Sequence, residues 1–205
     1  MAINQTTTFS HSYYSAGTYT ATFTVTDSAG LSTASSITVQ VGSGSTQSDS
    51  ASLSLDAVSP LTQTVAVTNT SAGLYLGLPV LVFDVNAQGD NMHLHSLTVN
   101  INTAGSTGGA VSAAYLYRGA TPIMSTSIVN GQANFGNIPD GTLGATIPVN
   151  TTLPYTVKVD VTGLTNSSTI ENVTASVASE AIYSSADTIV PVTGNANGYT
   201  ITVNQ

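Results

Sequence analysis

Residues 17–27 read GTYTATFTVTD. Tyr19, Ala21, Phe23 and Val25 fall on every second position, and Thr18, Thr20, Thr22, Thr24 and Thr26 fill the positions between. Successive side chains of an extended backbone point to opposite faces, so this spacing gathers the apolar set on one side and the hydroxyls on the other. β-Branched threonine favours the same backbone. The stretch predicts a half-buried strand. Downstream, DSAG at 27–30 reads as a turn, and SSITVQV at 35–41 repeats the alternation with Ile37, Val39 and Val41. Residues 1–42 are expected to supply about three strands, too few to bury a core alone.

GSGSTQSDS follows at 42–50, with the composition of a flexible connector. Alternation then resumes to the end of the chain. The candidate strands are ASLSLDAV, QTVAVT, PVLVFDV, HLHSLTVNI, VSAAYLYR, PIMSTSIV, PYTVKVDV, TASVAS and GYTITV. AQGDN, TAGSTGG, VNGQ, NIPDG and GNANG mark turns between them, and SEAIYSSAD at 179–187 is expected to form one short helical turn. Many short strands with frequent turns give an all-β fold of antiparallel immunoglobulin-like sandwiches. The expected division is an incomplete N-terminal unit at 1–42, a Gly/Ser-rich linker at 43–50 and a larger β-sandwich domain at 51–205.

Charged residues make up 6% of the 205, far below the roughly 25% of an ordinary soluble domain. Arg118 and Lys158 are the only cationic side chains beside ten carboxylates, for a net charge of −8. Such a chain lacks the basic cluster that nucleic acids and anionic lipid surfaces require. No cysteine is present, so disulfides and thiolate metal sites are excluded. No run of 18 apolar residues suggests membrane insertion, and residues 1–30 lack the pattern of a signal peptide. If the protein is exported, this chain is a mature or trimmed piece. A surface nearly free of charge suits an extracellular or cell-surface location and permits close packing of copies.

Two resemblances add to this reading. His11-x-Tyr13, Gly17-x-Tyr19, Val25-x-Asp27 and Gly30, within residues 9–42, resemble the C-terminal half of a PKD domain. That family is an immunoglobulin-like module of surface and secreted proteins. Its front half, with a tryptophan and a Gly-Asp-Gly turn, is absent, and the chain has no tryptophan. Residues 53–161 are similar to β-sandwich repeats of bacterial and archaeal cell-surface proteins. The features that carry this are LSLDAVSPLTQTV, VLVFDVNAQGDNMHLHSLTVNI, AAYLYRGATPI, GQANFGNI and IPVNTTLPYTVKVDV. The second resemblance implies layer-like or fibrous roles.

Few residues suggest a site. His93 and His95 lie two apart in a predicted strand and share a face, so a transition metal is conceivable with Asp84 or Asp90 as a third ligand. Solvent-facing polar residues are the plainer account. NAQGDN and NIPDG offer oxygens to calcium, although Asn86, Gly89, Asp90, Asp140 and Gly141 also suit ordinary turns. Asn4, Asn69, Asn150, Asn166 and Asn172 open Asn-x-Ser/Thr acceptor motifs for N-glycosylation. The two glutamates, Glu171 and Glu180, are not placed together as glycoside hydrolysis needs, and no Ser-His-Asp arrangement is evident.

Lys158 alternates with Tyr155, Val157, Val159 and Val161 and is expected outside the core, where Asp160 is a candidate ion-pair partner. The tyrosines are most concentrated at Tyr13, Tyr14, Tyr115 and Tyr117, and such rings stack against sugars. Tyr115 and Tyr117 alternate with Leu116, and Tyr13 and Tyr19 fit the core of the incomplete unit.

An unfinished sandwich needs a partner. The sequence therefore points to a non-enzymatic, extracellular structural subunit of a filament, pilus-like fibre or surface layer. Copies would join by donating a strand, either INQTTTFSHSYY at 3–14 or NGYTITVNQ at 197–205. The alternative is a carbohydrate-binding or adhesive module of a larger surface protein. No resident cofactor is expected.

Overall fold

The computed structural model describes residue 11 and residues 17–41, 48–67, 73–105, 110–139, 141–164 and 170–204. The chain divides into two compact units, Met1–Gln47 and Ser48–Gln205.

In the first unit, β1 (Gly17–Thr26) pairs antiparallel with β2 (Ser32–Val41), from Gly17 opposite Val41 to Thr26 opposite Ser32. Asp27 shapes the turn between them. Its Oδ1 accepts the N–H groups of Ala29 and Leu31, each at 2.9 Å, and its backbone carbonyl accepts that of Gly30 at 3.1 Å. Gly30 supplies the left-handed backbone this turn requires, at φ 85°. The register gathers Tyr19, Ala21, Phe23 and Val25 with Ile37 and Val39 on one face. The other face carries hydroxyl pairs, Thr22 with Ser36 and Thr26 with Ser32. The strands are as predicted but the half-burial is not: Val25 is 68% exposed and Ile37 55%. The third strand expected in residues 1–42 falls outside the described residues, apart from His11, which is exposed and lies in no strand.

The second unit is all-β among its described residues. Its strands are β3 (Ser50–Leu55), β4 (Gln63–Ala66), β5 (Tyr75–Gln88), β6 (Met92–Gly105), β7 (Ala110–Arg118) and β8 (Thr121–Val129). There follow β9 (Gln132–Phe135), β10 (Thr146–Ile147), β11 (Thr152–Thr162), β12 (Ile170–Ser184), β13 (Val192–Gly194) and β14 (Ile201–Asn204). Hydrogen bonding runs in the order β13-β3-β5-β11-β7-β8-β9-β6-β12-β14-β4, with β10 added to β6. Strand β8 joins two layers, pairing with β7 along most of its length and with β9 through Ile128 and Val129. Most ladders are antiparallel. Two short parallel ladders, β13 on β3 and β14 on β4, close the ends of the order.

Both layers turn one face inward. Phe83, Val85, Leu116, Val157 and Val159 from the first form one buried cluster with Leu94, Leu97, Val99, Val173, Ile201 and Val203 from the second. Gly198 marks how closely the layers approach. A Cβ there would stand 2.9 Å from the Val80 carbonyl oxygen of β5 and 3.0 Å from that of Ala175 of β12.

Two expectations need correction. Residues 179–184 of SEAIYSSAD belong to β12, and their backbone is paired with β6. Only the end turns, where Ser184 donates to the Thr188 carbonyl at 2.9 Å and Asp187 to that of Ser184 at 3.1 Å. An extra residue at Ala178 interrupts the β6 register there, which breaks the alternation that would have betrayed a strand. The C-terminal donor segment is also not free. β14 sits between β12 and β4, with Ile201 and Val203 fully buried.

Candidate functional site

The outer face of β7 and β11 carries the densest group of chemically capable side chains. Tyr115 and Tyr117 point away from the core because Ala114, just before them, and Leu116, between them, point in. In β11, Lys158 and Asp160 alternate in the same way with buried Val157, Val159 and Val161. Antiparallel register sets Lys158 opposite Tyr115 and Thr156 opposite Tyr117.

Asp160 ties three strands together. Its Oδ2 accepts the Tyr115 hydroxyl at 2.6 Å, and its Oδ1 accepts the Gly77 N–H of β5 at 2.8 Å. The hydrogen bond to this carboxylate, with burial, raises the Tyr115 hydroxyl above the usual phenol range. The Lys158 ammonium lies 4.4 Å from the centre of the Tyr117 ring, a cation–π contact. Lys158 therefore stays outside the core, as its alternation predicts. Arg118, the other cation, donates to the carbonyls of Thr146 at 2.9 Å and Gly144 at 3.4 Å.

The second group is on β6 and β12. A bulge makes His95 an extra residue between the pairs Leu94–Ile182 and Ser96–Ala181. His93 and His95 do share a face, with ring centres 6.3 Å apart, and both lie against Tyr183, at 5.6 and 4.7 Å. Asp90 is committed elsewhere. Its Oδ2 accepts both the backbone N–H and the hydroxyl of Ser185, and these bonds hold its carboxyl below the usual range. Among the described residues no three His, Cys, Asp or Glu side chains gather in a manner that would hold a metal.

The remaining candidates are dispersed. Asp84 faces Asp56 across the β3–β5 edge, and burial first, then the neighbouring charge and hydrogen bond of Asp56, raise its carboxyl. Asp56 also accepts the Val58 N–H at 2.7 Å. Glu171 and Glu180 lie nine positions apart on one strand, roughly 30 Å at the rise of an extended chain, so they do not form a hydrolytic pair. Burial raises both carboxyls.

Of the residues considered for calcium, Asn86 lies in β5 rather than in a turn and donates to Thr152 Oγ1 at 2.9 Å, while Gly89, Asn137 and Gly141 have positive φ. Asp140 lies outside the described residues. Of the acceptor motifs, Asn4, Asn69 and Asn166 lie outside the described residues too. Asn150 is exposed in a turn, at φ 57°, and Asn172 sits on β12, where its Oδ1 accepts the Thr202 hydroxyl at 2.7 Å. Tyr13 and Tyr14 are likewise outside the described residues.

The sequence directs attention to Tyr115, Tyr117, Lys158 and Asp160 separately. It does not bring them together with Gly77, 83 residues from Asp160.

No family model and no curated protein matches the sequence. Among solved structures, the chain is similar to the CaCohA2 module of Clostridium acetobutylicum in solution, at 14% identity over 75% of this chain and 91% of that one, with a TM-score of 0.35. It is also similar to a chain of the crystallised complex of CaCohA2 with a CaDoc0917 variant at pH 5.5, at 11% identity, 75% and 99% coverage and a TM-score of 0.33. A third is a chain of the Coh-OlpC–Doc435 complex, a type I cohesin–dockerin complex of Clostridium thermocellum, at 9% identity, 76% and 93% coverage and a TM-score of 0.33. The likeness is slight, and the dockerin partners are properties of those proteins.

Proposed function

We propose that this chain is an extracellular structural subunit of a filament, pilus-like fibre or surface layer, joined to its neighbours by β-strand complementation, and not an enzyme. The observation that carries the reading is the β1–β2 hairpin. Among the described residues it forms a two-stranded sheet, with Val25 and Ile37 exposed on a face whose alternation is that of a buried strand pair. Two strands do not make a stable sandwich in water, and their outer edges offer backbone donors and acceptors to a further strand. The PKD-like pattern of residues 9–42 fits a half-module that another copy completes. The donor is the segment at 3–14, because the C-terminal strand is held on both sides within its own sheet. A head-to-tail contact of this kind generates fibres where its rotation does not close a ring. With 6% charged residues, adjacent copies repel each other little.

Val25→Asp and Ile37→Asp test the reading. Each puts a carboxylate on the apolar face of the hairpin while leaving the sandwich untouched. The expected result is loss of concentration-dependent growth in light scattering, with unchanged melting of the sandwich. Polymers formed equally well by both variants would overturn the hairpin as the acceptor.

A further inference from the structure

The Tyr115–Tyr117 face has features that strand complementation does not use. The two tyrosines form the shared wall of two shallow clefts. One, of about 320 Å³, is completed by Pro122, Ile123, Met124 and Ser125. The other, of about 290 Å³, is completed by Leu76, Gly77, Lys158 and Asp160. Each is at the lower limit for a small-ligand site, and each mixes apolar surface with a few polar groups.

We propose that this face binds the sugar rings of a neutral glycan. A pyranose presents an apolar C–H face and a rim of hydroxyls, and it stacks on a tyrosine while the rim reaches polar neighbours. The required partners are present. Asp160 retains acceptor capacity beyond its bonds to Tyr115 and Gly77, and Lys158 brings three N–H donors over one face of the Tyr117 ring, leaving the other face to the cleft beside Pro122. Leu76, 61% exposed, extends the apolar floor. The rings are also held before any ligand arrives, Tyr115 by Asp160 and Tyr117 by the Lys158 ammonium, which lowers the ordering cost of binding.

Charge selects the ligand class. Lys158 and Asp160 offset each other at the face, whereas the chain as a whole carries −8, so a polyanion is repelled and a neutral ligand is not. A ridge of two rings between ring-sized clefts suits a saccharide better than a protein partner, whose stable interface needs a continuous patch of roughly 800 Å² on each side.

The test uses the full chain on immobilised tetrasaccharides of β-1,4-linked glucose, β-1,4-linked N-acetylglucosamine and mannose, with an α-1,4-linked galacturonate tetrasaccharide as the anionic comparison. At least one neutral glycan is expected to retain the chain. Tyr117→Ala should weaken retention about tenfold, the scale of one lost aromatic contact, while Tyr117→Phe keeps it. Leu76→Asp, at a side chain outside the core, provides a second variant and should also weaken it. The proposal is overturned if no neutral glycan is retained, if galacturonate is retained more tightly, or if Tyr117→Ala and Leu76→Asp both bind like the parent chain.

Discussion

In β1, Phe23 and Val25 alternate with Thr22, Thr24 and Thr26; in β11, Val157 and Val159 alternate with Thr156, Lys158 and Asp160. Both stretches have the same period and both are extended, yet Val25 is largely exposed while Val157 and Val159 are fully buried. The difference lies in what faces them. Strand β11 has β5 and β7 on its two sides and the second layer beneath it, whereas among the described residues β1 and β2 form a two-stranded sheet. Alternation specifies a strand and its intended inner face. Burial requires a second layer to supply the other half, and for the hairpin we assign that half to a neighbouring copy.

The sharpest contrast comes from truncating one apolar residue in each region. Phe83 is fully buried and stacks on Tyr155 with ring centres 5.6 Å apart, so Phe83→Ala should cost the sandwich about 3–5 kcal/mol in chemical denaturation. Val25→Ala in a monomeric sample should cost less than about 0.5 kcal/mol. Comparable losses would mean that the hairpin face is buried in the monomer, and the distinction between the regions would fail.

Next is the close approach at Gly198. Gly198→Ala places a methyl against carbonyls of both layers and should destabilise by roughly 1–3 kcal/mol, read as a lower denaturant midpoint with little change in slope. An unshifted midpoint would show that the two layers are less tightly opposed at this point.

Asp27→Ala removes the acceptor of two turn N–H groups and should release about 1 kcal/mol of local protection. Faster amide exchange in β1 and β2 alone, with β5 and β6 unchanged, is the expected pattern. Slowed or unchanged exchange in the hairpin would indicate that other contacts set its stability.

The smallest effects concern pH. The Glu171 carboxyl, pushed up by burial and drawn partly back by a hydrogen bond from Thr103, favours its protonated form in the fold. Its stabilising contribution is present at acid pH and is lost as pH rises through the raised value. Asp90, held low by Ser185 and Asn91, contributes above the usual carboxylate range and loses that contribution as pH falls. Melting of Glu171→Gln should therefore fall less than that of the parent as pH rises through the carboxylate range. Asp90→Asn should be less sensitive than the parent to acid below that range. Parallel profiles for parent and variants would contradict both assignments.

Much of this fold was legible in the sequence wherever alternation was long and unbroken. Strands β5, β6, β7, β8 and β11 follow directly from it. The failures have physical causes. Strands β10 and β13 span two and three residues, too short to show a period. The extra residue at Ala178 disrupts the period in β12, and the one at His95 is written as LHSL, with two polar residues between buried leucines. Strand direction leaves no trace in alternation, so the parallel ladders of β13 and β14 were invisible.

The candidate site divides in the same way. Tyr115 and Tyr117 were readable as one face from Leu116 between them, and Lys158 as outward from its apolar neighbours. That Asp160 bridges Tyr115 and Gly77 depends on β11 lying between β5 and β7, and strand order across a sheet is set by long-range packing.

The most direct test is the size distribution of the 205-residue chain and of a variant lacking residues 1–14, by light scattering over rising concentration with negative-stain imaging of the same samples. The parent is expected to grow into regular fibres while the shortened chain stays monomeric with an intact sandwich. A parent that remains monomeric throughout, or a shortened chain that polymerises as the parent does, would contradict it.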